Sequence, residues 1–422
     1  MTRFADADAS PHAALDGWMR RDAGAVHAHL IARFGWGRAE MAEDALQDAL
    51  VRALQTWPFA GVPDRPGGWL YTVAANRMLD LLRGAAERTA VPVEALTQRA
   101  GASQFEATPP DELSDPELAV LFAVCHPSLD PRTGIALALQ VLSGFSLREI
   151  ANALLLRPDA VAQRLSRAKR ALRDIPGIAE LPAGTALRDR LAVALDVVAL
   201  LFNEGFEPSS GELPMRTDLC GEAIRLADAL AGHPLTAGPE ARALAALLNL
   251  LGARLPARLV DSGAVTLLPE QDRAAWDRVL LHRGLRQLAE SAGGDQVSRY
   301  HLLAGIAATH ATAVSLDETD WGAIVADYRL LIHLEDSPVH RLNLAVALQR
   351  GGWLAAAADE MARLEASPRM GGYFWFHMTR AEIAERVGDR STAAASLETA
   401  LALASTPMQT RFVRRRITGV SA

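Results

Sequence analysis

The sequence has little of several residue types on which whole classes of protein depend. It contains only two cysteines, Cys125 and Cys220, in 422 residues. Two distant cysteines support neither a disulfide framework nor a zinc site built from thiolates, and they indicate a reducing compartment. Aromatic residues make up only 5% of the chain, while Ala, Leu and Arg dominate. This balance favours helix over sheet.

The sequence also lacks an apolar run long enough to cross a membrane. The most apolar run, residues 191–202, is shorter than the roughly 20 residues that a bilayer requires, and it includes Asp196. The N-terminus has no apolar stretch of the kind found in secretion signals. These features predict a cytoplasmic protein without a membrane segment, in which residues 191–202 form a buried core helix.

Neither charge sign is in large excess. The formal net charge is −7, so the chain as a whole is not a nonspecific binder of polyanions. Any contact with nucleic acid must therefore come from a local basic patch. The length of 422 residues allows two to four domains, and a hydrophobic content of 50% allows each to bury a sizeable core.

Residues 146–174 have the pattern of a helix-turn-helix. Ser146, followed three residues later by Glu149, forms a capping box that predicts the start of a first helix. Residues 155–157 form a short turn, although Leu155 stands where many such turns have Gly. Pro158 suits the first position of a second helix, where no backbone donor is needed.

The second helix of this motif is predicted to have a buried face and a polar face. The apolar stripe has helical spacing and consists of Val161, Leu165, Ala168 and Leu172. The opposite face, flanked by Arg167 and Lys169, consists of Asp159, Gln163, Ser166 and Arg170. A basic outer face on the second of two helices is typical of a DNA-reading helix. An ordinary helical hairpin with a solvated charged face is the alternative.

Three helices are predicted before this motif, over residues 20–34, 39–57 and 69–88. Pro58 and the segment GVPDRPGG that follows are expected to end the second helix. Its predicted apolar face consists of Leu46, Leu50, Ala53, Leu54 and Trp57, and its polar face of Asp44, Gln47, Asp48 and Arg52. The third helix begins at Trp69. Its inward residues are Leu70, Val73, Ala74 and Leu81, and a polar stripe consists of Thr72, Asn76 and Arg83.

The pattern predicts an all-α chain with a linker and a long C-terminal extension. Residues 89–114 are rich in Gly, Ser, Thr and Pro, which is typical of a linker. Residues 185–422 are again helical. Within them Gly352 and Gly388 occupy equivalent turn positions 36 residues apart. This period predicts helical hairpins of the tetratricopeptide (TPR) type.

No catalytic constellation stands out in the sequence. His126, His301 and His310 are scattered, and no pair has metal-ligand spacing with a carboxylate. The most enzyme-like residues are Asn203, Glu204, Asp272 and Trp276. Buried capping or hydrogen bonding between helices explains them more simply. The sequence therefore predicts neither an enzyme nor a metal or cofactor site.

Residues 20–174 resemble a known family, the sigma factors of the extracytoplasmic-function (ECF) type. The segment AEDALQDALVRALQTW resembles the part of the first sigma domain that grips core RNA polymerase. PGGWLYTVAANRMLDLLR resembles the part that melts and reads the downstream promoter element. The helix-turn-helix resembles the second sigma domain, which reads the upstream element.

The remaining chain resembles an ECF subgroup with a long helical C-terminal extension that carries TPR-like repeats. The segments that carry this likeness are FAVCHPSLD, AQRLSRAKRALRD, LFNEGF, LLPEQDRAAWD and SPVHRLNLAVAL. The departures are VCHP where the subgroup often has paired cysteines, and NEGF for NEGY. The resemblance implies sigma domains at residues 1–88 and 115–175, joined by the linker at 89–114, and the extension at 185–422.

For the downstream element, the resemblance implies a set of contacts on the third helix. Asn76 would hydrogen-bond to a flipped base, and Arg77 and Arg83 would hold phosphates. Trp69 either contacts a base or packs the start of its helix. Asp80 belongs to the same surface or orients a neighbouring arginine.

For the upstream element, the resemblance implies a set of contacts on the second helix of the helix-turn-helix. Gln163 and Ser166 would reach base edges, and Arg170 a guanine or a phosphate. The predicted backbone contacts are Arg164, Arg167 and Lys169, with Asp159 and Ala160 at the start of the same surface. Arg164 either contacts the backbone or supports the fold.

The resemblance also implies partners. Core RNA polymerase would bind Asp44, Gln47 and Asp48, for which a solvated helix face is the alternative. Promoter DNA is the second partner, and a protein or ligand at the extension is the third. The extension would control activity in cis or act as a passive stabilising cap. The rival functions are a DNA-binding regulator with a helical sensor domain and a peptide-binding scaffold.

Overall fold

All regular elements in the described part of the chain are helices. The structure, a computed structural model, describes residues 11–89, 114–154, 156–178, 180–206, 215–258, 266–294, 296–367, 370–405 and 407–420. Within these ranges there is no strand, and the predicted all-α class is confirmed. The chain divides into two compact units, Met1–Leu201 and Phe202–Ala422. Most of the predicted linker, residues 90–113, lies outside the described residues.

The first unit contains both predicted sigma domains. Its helices are α1 (Pro11–Phe34), α2 (Ala39–Ala60), α3 (Pro66–Thr89), α4 (Asp115–Val124), α5 (Pro131–Val141), α6 (Leu147–Leu154) and α7 (Pro158–Arg173). A short 3-10 helix, Trp36–Arg38, precedes α2. The next helix, α8 (Gly184–Phe206), crosses the boundary between the two units.

Two helix ends differ from the predicted ones because of how proline acts at helix termini. Pro58 does not end α2, which continues to Ala60 and stops at Gly61, the first residue of GVPDRPGG, whose φ is +82°. A proline in the last turn forfeits one backbone hydrogen bond, which a long packed helix tolerates. The third helix begins at Pro66 rather than Trp69. Proline suits the first turn because its missing N–H has no partner there.

A close backbone contact joins the N-terminal helix to the part of the unit that carries the helix-turn-helix. A Cβ atom placed on Gly24 of α1 would lie 2.1 Å from the carbonyl oxygen of Leu142, just after α5. No side chain fits at that distance, so only glycine allows α1 to approach here. The two predicted sigma domains therefore pack together within one unit.

The second unit is a succession of helices, many of them short. These are α9 (Thr217–Gly232), α10 (Pro239–Gly252), α11 (Leu255–Arg258), α12 (Arg278–Ser291), α13 (Arg299–Thr312), α14 (Trp321–Leu334), α15 (Pro338–Arg350), α16 (Leu354–Glu365), α17 (Phe374–Val387), α18 (Arg390–Leu403) and α19 (Pro407–Val420). Two 3-10 helices, Leu268–Glu270 and Arg273–Ala275, lie between α11 and α12.

Two helical hairpins in this unit turn in the same way. Gly352, between α15 and α16, has φ +88°, and Gly388, between α17 and α18, has φ +83°. The following residues donate equivalent bonds, from Trp353 N to Leu348 O and from Asp389 N to Ala384 O, both 2.9 Å. This is the Schellman arrangement, which favours glycine at the left-handed position. The turns thus have the same geometry 36 residues apart.

A polar network ties α9, α10 and α12 together inside the second unit. Asp228 accepts hydrogen bonds from Asn249 Nδ2 at 2.7 Å, Arg283 Nη1 at 2.8 Å and Gln287 Nε2 at 2.8 Å. The Asp228 carboxylate is 10% exposed and serves as the shared acceptor of all three donors. Such a network stabilises only while every member is paired.

We therefore expect Asp228→Ala to destabilise the protein by about 2 kcal/mol, since it leaves the partly buried guanidinium of Arg283 without its carboxylate and removes an acceptor from Asn249 and Gln287. Urea unfolding followed by circular dichroism measures the loss. Asp317→Ala, at an exposed carboxylate of the same unit, is the matched control and should change stability by less than about 0.5 kcal/mol. Equal midpoints for the two variants would contradict the role given to the network.

Candidate nucleic-acid interface

Helix α3 presents the polar stripe that its sequence predicts. Thr72, Asn76 and Arg83 are all exposed, while Leu70 and Ala74 are buried beneath them. The Arg83 guanidinium donates to the Asp80 carboxylate at 3.2 Å, which is the orienting arrangement considered for Asp80. The amide of Asn76 is therefore displayed on the outside of a helix that the core holds rigidly.

Trp69 packs at the start of α3. It is half-buried, and its ring meets the buried ring of Trp57 edge to face, with centroids 5.5 Å apart. Such aromatic pairs contribute about 0.5–1.5 kcal/mol beyond the area they bury. This contact supports the packing alternative for Trp69, and its contact with a base stays a prediction.

The predicted polymerase-binding residues of α2 lie beside the predicted DNA-binding residues of α3. Asp44, Gln47 and Asp48 are all exposed. The Asp48 carboxylate accepts a hydrogen bond from Arg77 Nε at 2.7 Å. Arg77 is therefore held by an acidic neighbour, and the two surfaces adjoin along one edge of the α2–α3 pair.

The apolar face assigned to α2 is partly wrong. Leu54 was expected to point inward but is 64% exposed, and Val51 and Phe59 are 52% and 91% exposed. The helix buries instead a row of small residues, namely Ala39, Ala42, Ala45, Ala49 and Ala53, with Leu46 and Trp57. Because alanine is small, the neighbouring helices approach α2 closely along this row, and the side of α2 that carries Leu54 faces solvent. The alanine spacing was the signal that the sequence analysis missed.

In the helix-turn-helix, α7 has the predicted buried stripe. Val161, Leu165, Ala168 and Leu172 are all buried. Pro158 is the first residue of the helix, as predicted. The Glu149 side chain and Leu155 lie outside the described residues, so neither the predicted capping box nor the turn residue is tested.

The outer surface of α7 divides into an open part and a covered part. Asp159, Gln163, Arg167 and Arg170 are exposed, and Ala160 is half-buried. Ser166 donates from Oγ to Glu40 Oε1 of α2 at 3.2 Å. Arg164 lies 3.9 Å from the Asp130 carboxylate, which caps α5. This contact agrees with the supporting role considered for Arg164.

Lys169 was expected on the exposed basic face, and that placement is wrong. Its side chain is 7% exposed, and Nζ donates to Glu43 Oε2 of α2 at 2.8 Å. Glu43 also accepts from Gln140 Nε2 of α5 at 2.9 Å. A buried ammonium must be paired, and here the carboxylate of another helix supplies the partner. In this arrangement Lys169 joins α7 to α2 and does not face solvent.

The same cluster includes a neutral histidine. Burial lowers the pKa of His27 from 6.5 to about 4, against the opposing effect of the Glu43 carboxylate. The unfolded chain therefore binds a proton at His27 more readily than the folded chain does. Consequently, the contribution of His27 to stability is lost as the pH falls from about 6.5 towards 4.

The other residues singled out in the sequence do not come together into a reactive site. Asp272 caps the 3-10 helix at Arg273–Ala275, and it is exposed rather than buried. Asn203 is also exposed and Glu204 half-buried, while Trp276 is buried. Burial raises the pKa of both cysteine thiols to about 12, so they stay protonated.

The described part of the chain contains neither a metal-binding cluster nor a membrane-spanning helix. No group of three or more His, Cys, Asp or Glu side chains in that part of the chain could hold a metal ion. Likewise, none of the helices described is both long enough and apolar enough to traverse a bilayer.

Comparison with known proteins gives matches along most of the chain. Residues 23–88 match Sigma-70 region 2, residues 120–172 match Sigma-70, region 4, and residues 190–292 match a family of unknown function, DUF6596. An uncharacterized protein of Rhizobium meliloti is 34% identical over 388 residues, which cover 91% of this chain and 90% of that protein.

A second similarity covers a shorter part of the chain. The ECF RNA polymerase sigma factor SigL of Mycobacterium tuberculosis is 32% identical over 151 residues, which cover 35% of this chain and 82% of that protein. No solved structure matches the chain.

The buried pair leads to a prediction about stability. We expect Lys169→Met to destabilise the protein by about 2 kcal/mol, because it leaves the half-buried Glu43 carboxylate without its cation. Arg170→Met, one position along on the exposed side, should change stability by less than about 0.5 kcal/mol. Adding Glu43→Gln to Lys169→Met should recover part of the loss, as urea unfolding can measure. The pairing has no energetic role if the two single variants unfold alike.

Proposed function

Because the chain belongs to the ECF RNA polymerase sigma factors, we propose that separate exposed faces of α2, α3 and α7 contact the polymerase and the two promoter elements. Sigma factors direct core RNA polymerase to promoters and start transcription there, so these are the partners of the chain. The Sigma-70 matches and the similarity to SigL confirm the predicted sigma-factor function. The family consists of transcription factors and not of enzymes.

The observation that carries the proposal is the exposed stripe of Thr72, Asn76 and Arg83 on α3. Asn76 offers both a donor and an acceptor, which suits the edge of an unpaired base. Arg83 lies farther along the same stripe, where a guanidinium can bind the phosphate backbone of a separated strand. A regulator that binds only duplex DNA has no use for such a surface.

For the upstream element we propose a narrower set of contacts than the sequence alone suggests. Gln163 occupies the centre of the exposed face of α7, where its amide can read a base edge in the major groove. Arg167 and Arg170 follow it by one and two helical turns and supply positive charge for phosphates or a guanine. Ser166 is held by Glu40 and Lys169 by Glu43, so neither belongs to the contact surface in this arrangement.

For the polymerase we propose a wider surface than the three polar residues predicted from the sequence. Asp44, Gln47 and Asp48 continue at helical spacing into Val51 and Leu54, which are both more than half exposed. An apolar centre with a polar rim is the usual composition of a protein interface. Core polymerase is the occupant that membership of the sigma family implies for this helix.

We further propose that the second unit regulates the first. The relative from Rhizobium meliloti is similar along the extension as well as the sigma regions, so the two parts occur together in another chain. Repeated helical hairpins form extended surfaces that suit binding of a protein or ligand. The TPR-like classification is part of this proposal.

A run-off assay with purified core polymerase tests the central function. Core enzyme plus this protein should initiate at the target promoter without any other sigma factor. A target is obtained by selecting promoter fragments from a random library with the reconstituted holoenzyme. Transcription that requires added housekeeping sigma factor would instead identify a DNA-binding regulator.

The exposed leucine of α2 provides a prediction for polymerase binding. We expect Leu54→Arg to weaken binding to core polymerase at least tenfold, because a charge replaces an apolar contact at the interface core, worth about 1.4 kcal/mol or more. Thermal stability should be unchanged because Leu54 is not part of the core. Leu235→Arg, at an exposed leucine of the second unit, is the control and should bind normally. If Leu54→Arg binds core polymerase as the wild type does, the exposed apolar residues of α2 are not part of the polymerase interface.

The stripe on α3 provides a prediction for strand opening. We expect Asn76→Ala to leave holoenzyme assembly and duplex binding intact but to reduce open-complex formation about tenfold, the effect of losing one base contact of about 1–3 kcal/mol. Permanganate reactivity of promoter thymines measures the opening. Asn203→Ala, at an exposed asparagine outside the stripe, is the matched control. Normal opening by Asn76→Ala would refute the assignment.

A further inference from the structure

Two arginines of the second unit lie against one buried tryptophan, and a third lies near one of them. The guanidinium carbons of Arg254 and Arg273 lie 5.9 and 4.9 Å from the centroid of the Trp276 ring. Arg258, at the end of α11, is close enough to Arg254 to act on its charge, and its own guanidinium covers the Phe206 ring at 4.1 Å. The second unit thus concentrates positive charge at one place.

The hydrogen-bond partners of the two arginines beside Trp276 are neutral. Arg254 Nε donates to Gln271 Oε1 at 3.2 Å. Arg273 Nη1 donates to the carbonyl oxygens of His310 and Ala313 at 2.5 and 2.8 Å. Among the described residues no carboxylate forms an ion pair with either arginine. Within the described residues their charges are oriented by these hydrogen bonds but are not neutralised by a carboxylate.

Burial and the clustered positive charges lower the pKa values of groups around Trp276. Burial, together with the charges of Arg258 and Arg273, lowers the pKa of Arg254 to about 10. Burial and the charges of Arg254 and Arg273 also lower the pKa of His310 to about 4. Elsewhere in this unit an inward-facing arginine has a carboxylate partner, as Arg283 has in Asp228. A folded chain gains nothing from placing like charges together unless something else neutralises them.

Unused hydrogen-bond donors lie at the same place. Arg273 Nη2 and Trp276 Nε1 are buried and have no hydrogen-bond partner among the described residues. The Trp276 residue is only 4% exposed, so its indole N–H is not simply turned towards solvent. Buried donors are almost always paired in folded proteins. Two orphaned donors beside two uncompensated guanidiniums call for an acceptor that carries negative charge.

We propose that Arg254, Arg273 and Trp276 form a binding site for the oxyanion group, phosphate or carboxylate, of a small molecule. Guanidinium groups offer paired N–H donors that match the oxygens of such groups, and charged hydrogen bonds of this kind are strong. Arg254 and Arg273 are both half-buried, so part of each side chain is accessible from solvent. A cation–π contact with Trp276 explains why one arginine lies beside the ring. It does not explain why a second arginine lies there as well.

The site is separate from the faces of α2, α3 and α7, and its existence does not depend on the roles proposed for them. An anion site of this kind would make a small oxyanion the ligand of the second unit. Because binding is measured on the purified protein alone, failure of the anion site is distinguishable from failure of any transcription assay.

Thermal unfolding and titration calorimetry test the proposal on the full chain. Inorganic phosphate and acetate serve as probes of the two oxyanion types, and chloride at matched ionic strength controls for screening. At least one probe should raise the melting temperature saturably and bind with about one site per chain. Arg254→Gln should lower the affinity at least tenfold, as expected for one charged hydrogen bond. Without the anion it should be at least as stable as the wild type, because charge repulsion is relieved.

A control variant and a second test variant keep the proposal testable whichever result is obtained. Arg286→Gln, at an exposed arginine of α12, should retain the wild-type response. If Arg254→Gln does not fold, Trp276→Phe keeps an aromatic ring, removes the N–H, and should weaken binding at least threefold. The proposal is overturned if chloride stabilises as well as the probes, if neither probe binds, or if the folded variants bind as the wild type does.

Discussion

The first unit depends on a buried ion pair between Lys169 of α7 and Glu43 of α2. The Lys169 ammonium is almost fully removed from water and must meet a carboxylate, so this contact helps to set how the helix-turn-helix lies on the N-terminal helices. The contact at Gly24 holds the same parts of the unit together. The backbone near Leu142 comes so close to Gly24 that no side chain would fit there. Position and rotation of α7 follow from these contacts. They leave Gln163, Arg167 and Arg170 outside.

Packing by small residues decides which surface of the N-terminal helices is available to partners. Because α2 approaches its neighbours through a row of alanines, Val51 and Leu54 are displaced to the outside. There they continue the polar face formed by Asp44, Gln47 and Asp48 into an apolar area. The Arg77–Asp48 contact joins this area to α3, so polymerase-facing and promoter-facing residues are positioned by one pair of helices.

The second unit contains two groups of polar side chains with opposite character. Around Asp228 each donor has a shared carboxylate acceptor, and the group holds three helices together. Around Trp276, Arg254 and Arg273 have only neutral acceptors, and an indole N–H has none among the described residues. The donors of the first group are paired within the fold, whereas we propose that an anion pairs those of the second. The group around Asp228 is therefore a structural network, and the group around Trp276 is the candidate binding site of the same unit.

Sequence periodicity alone determined the helical class, the buried stripe Val161, Leu165, Ala168 and Leu172, and the exposed stripe containing Asn76. These follow from the fixed 3.6-residue period, which states which residues share a face. Only the tertiary structure decided that Lys169 is buried and that Leu54 is exposed. Periodicity does not state which face meets another helix, and a lysine becomes an interior residue only when a distant carboxylate is brought to it. The cluster around Trp276 likewise brings Arg254 to a segment that already holds Arg273 and Trp276, and no local pattern predicts that approach.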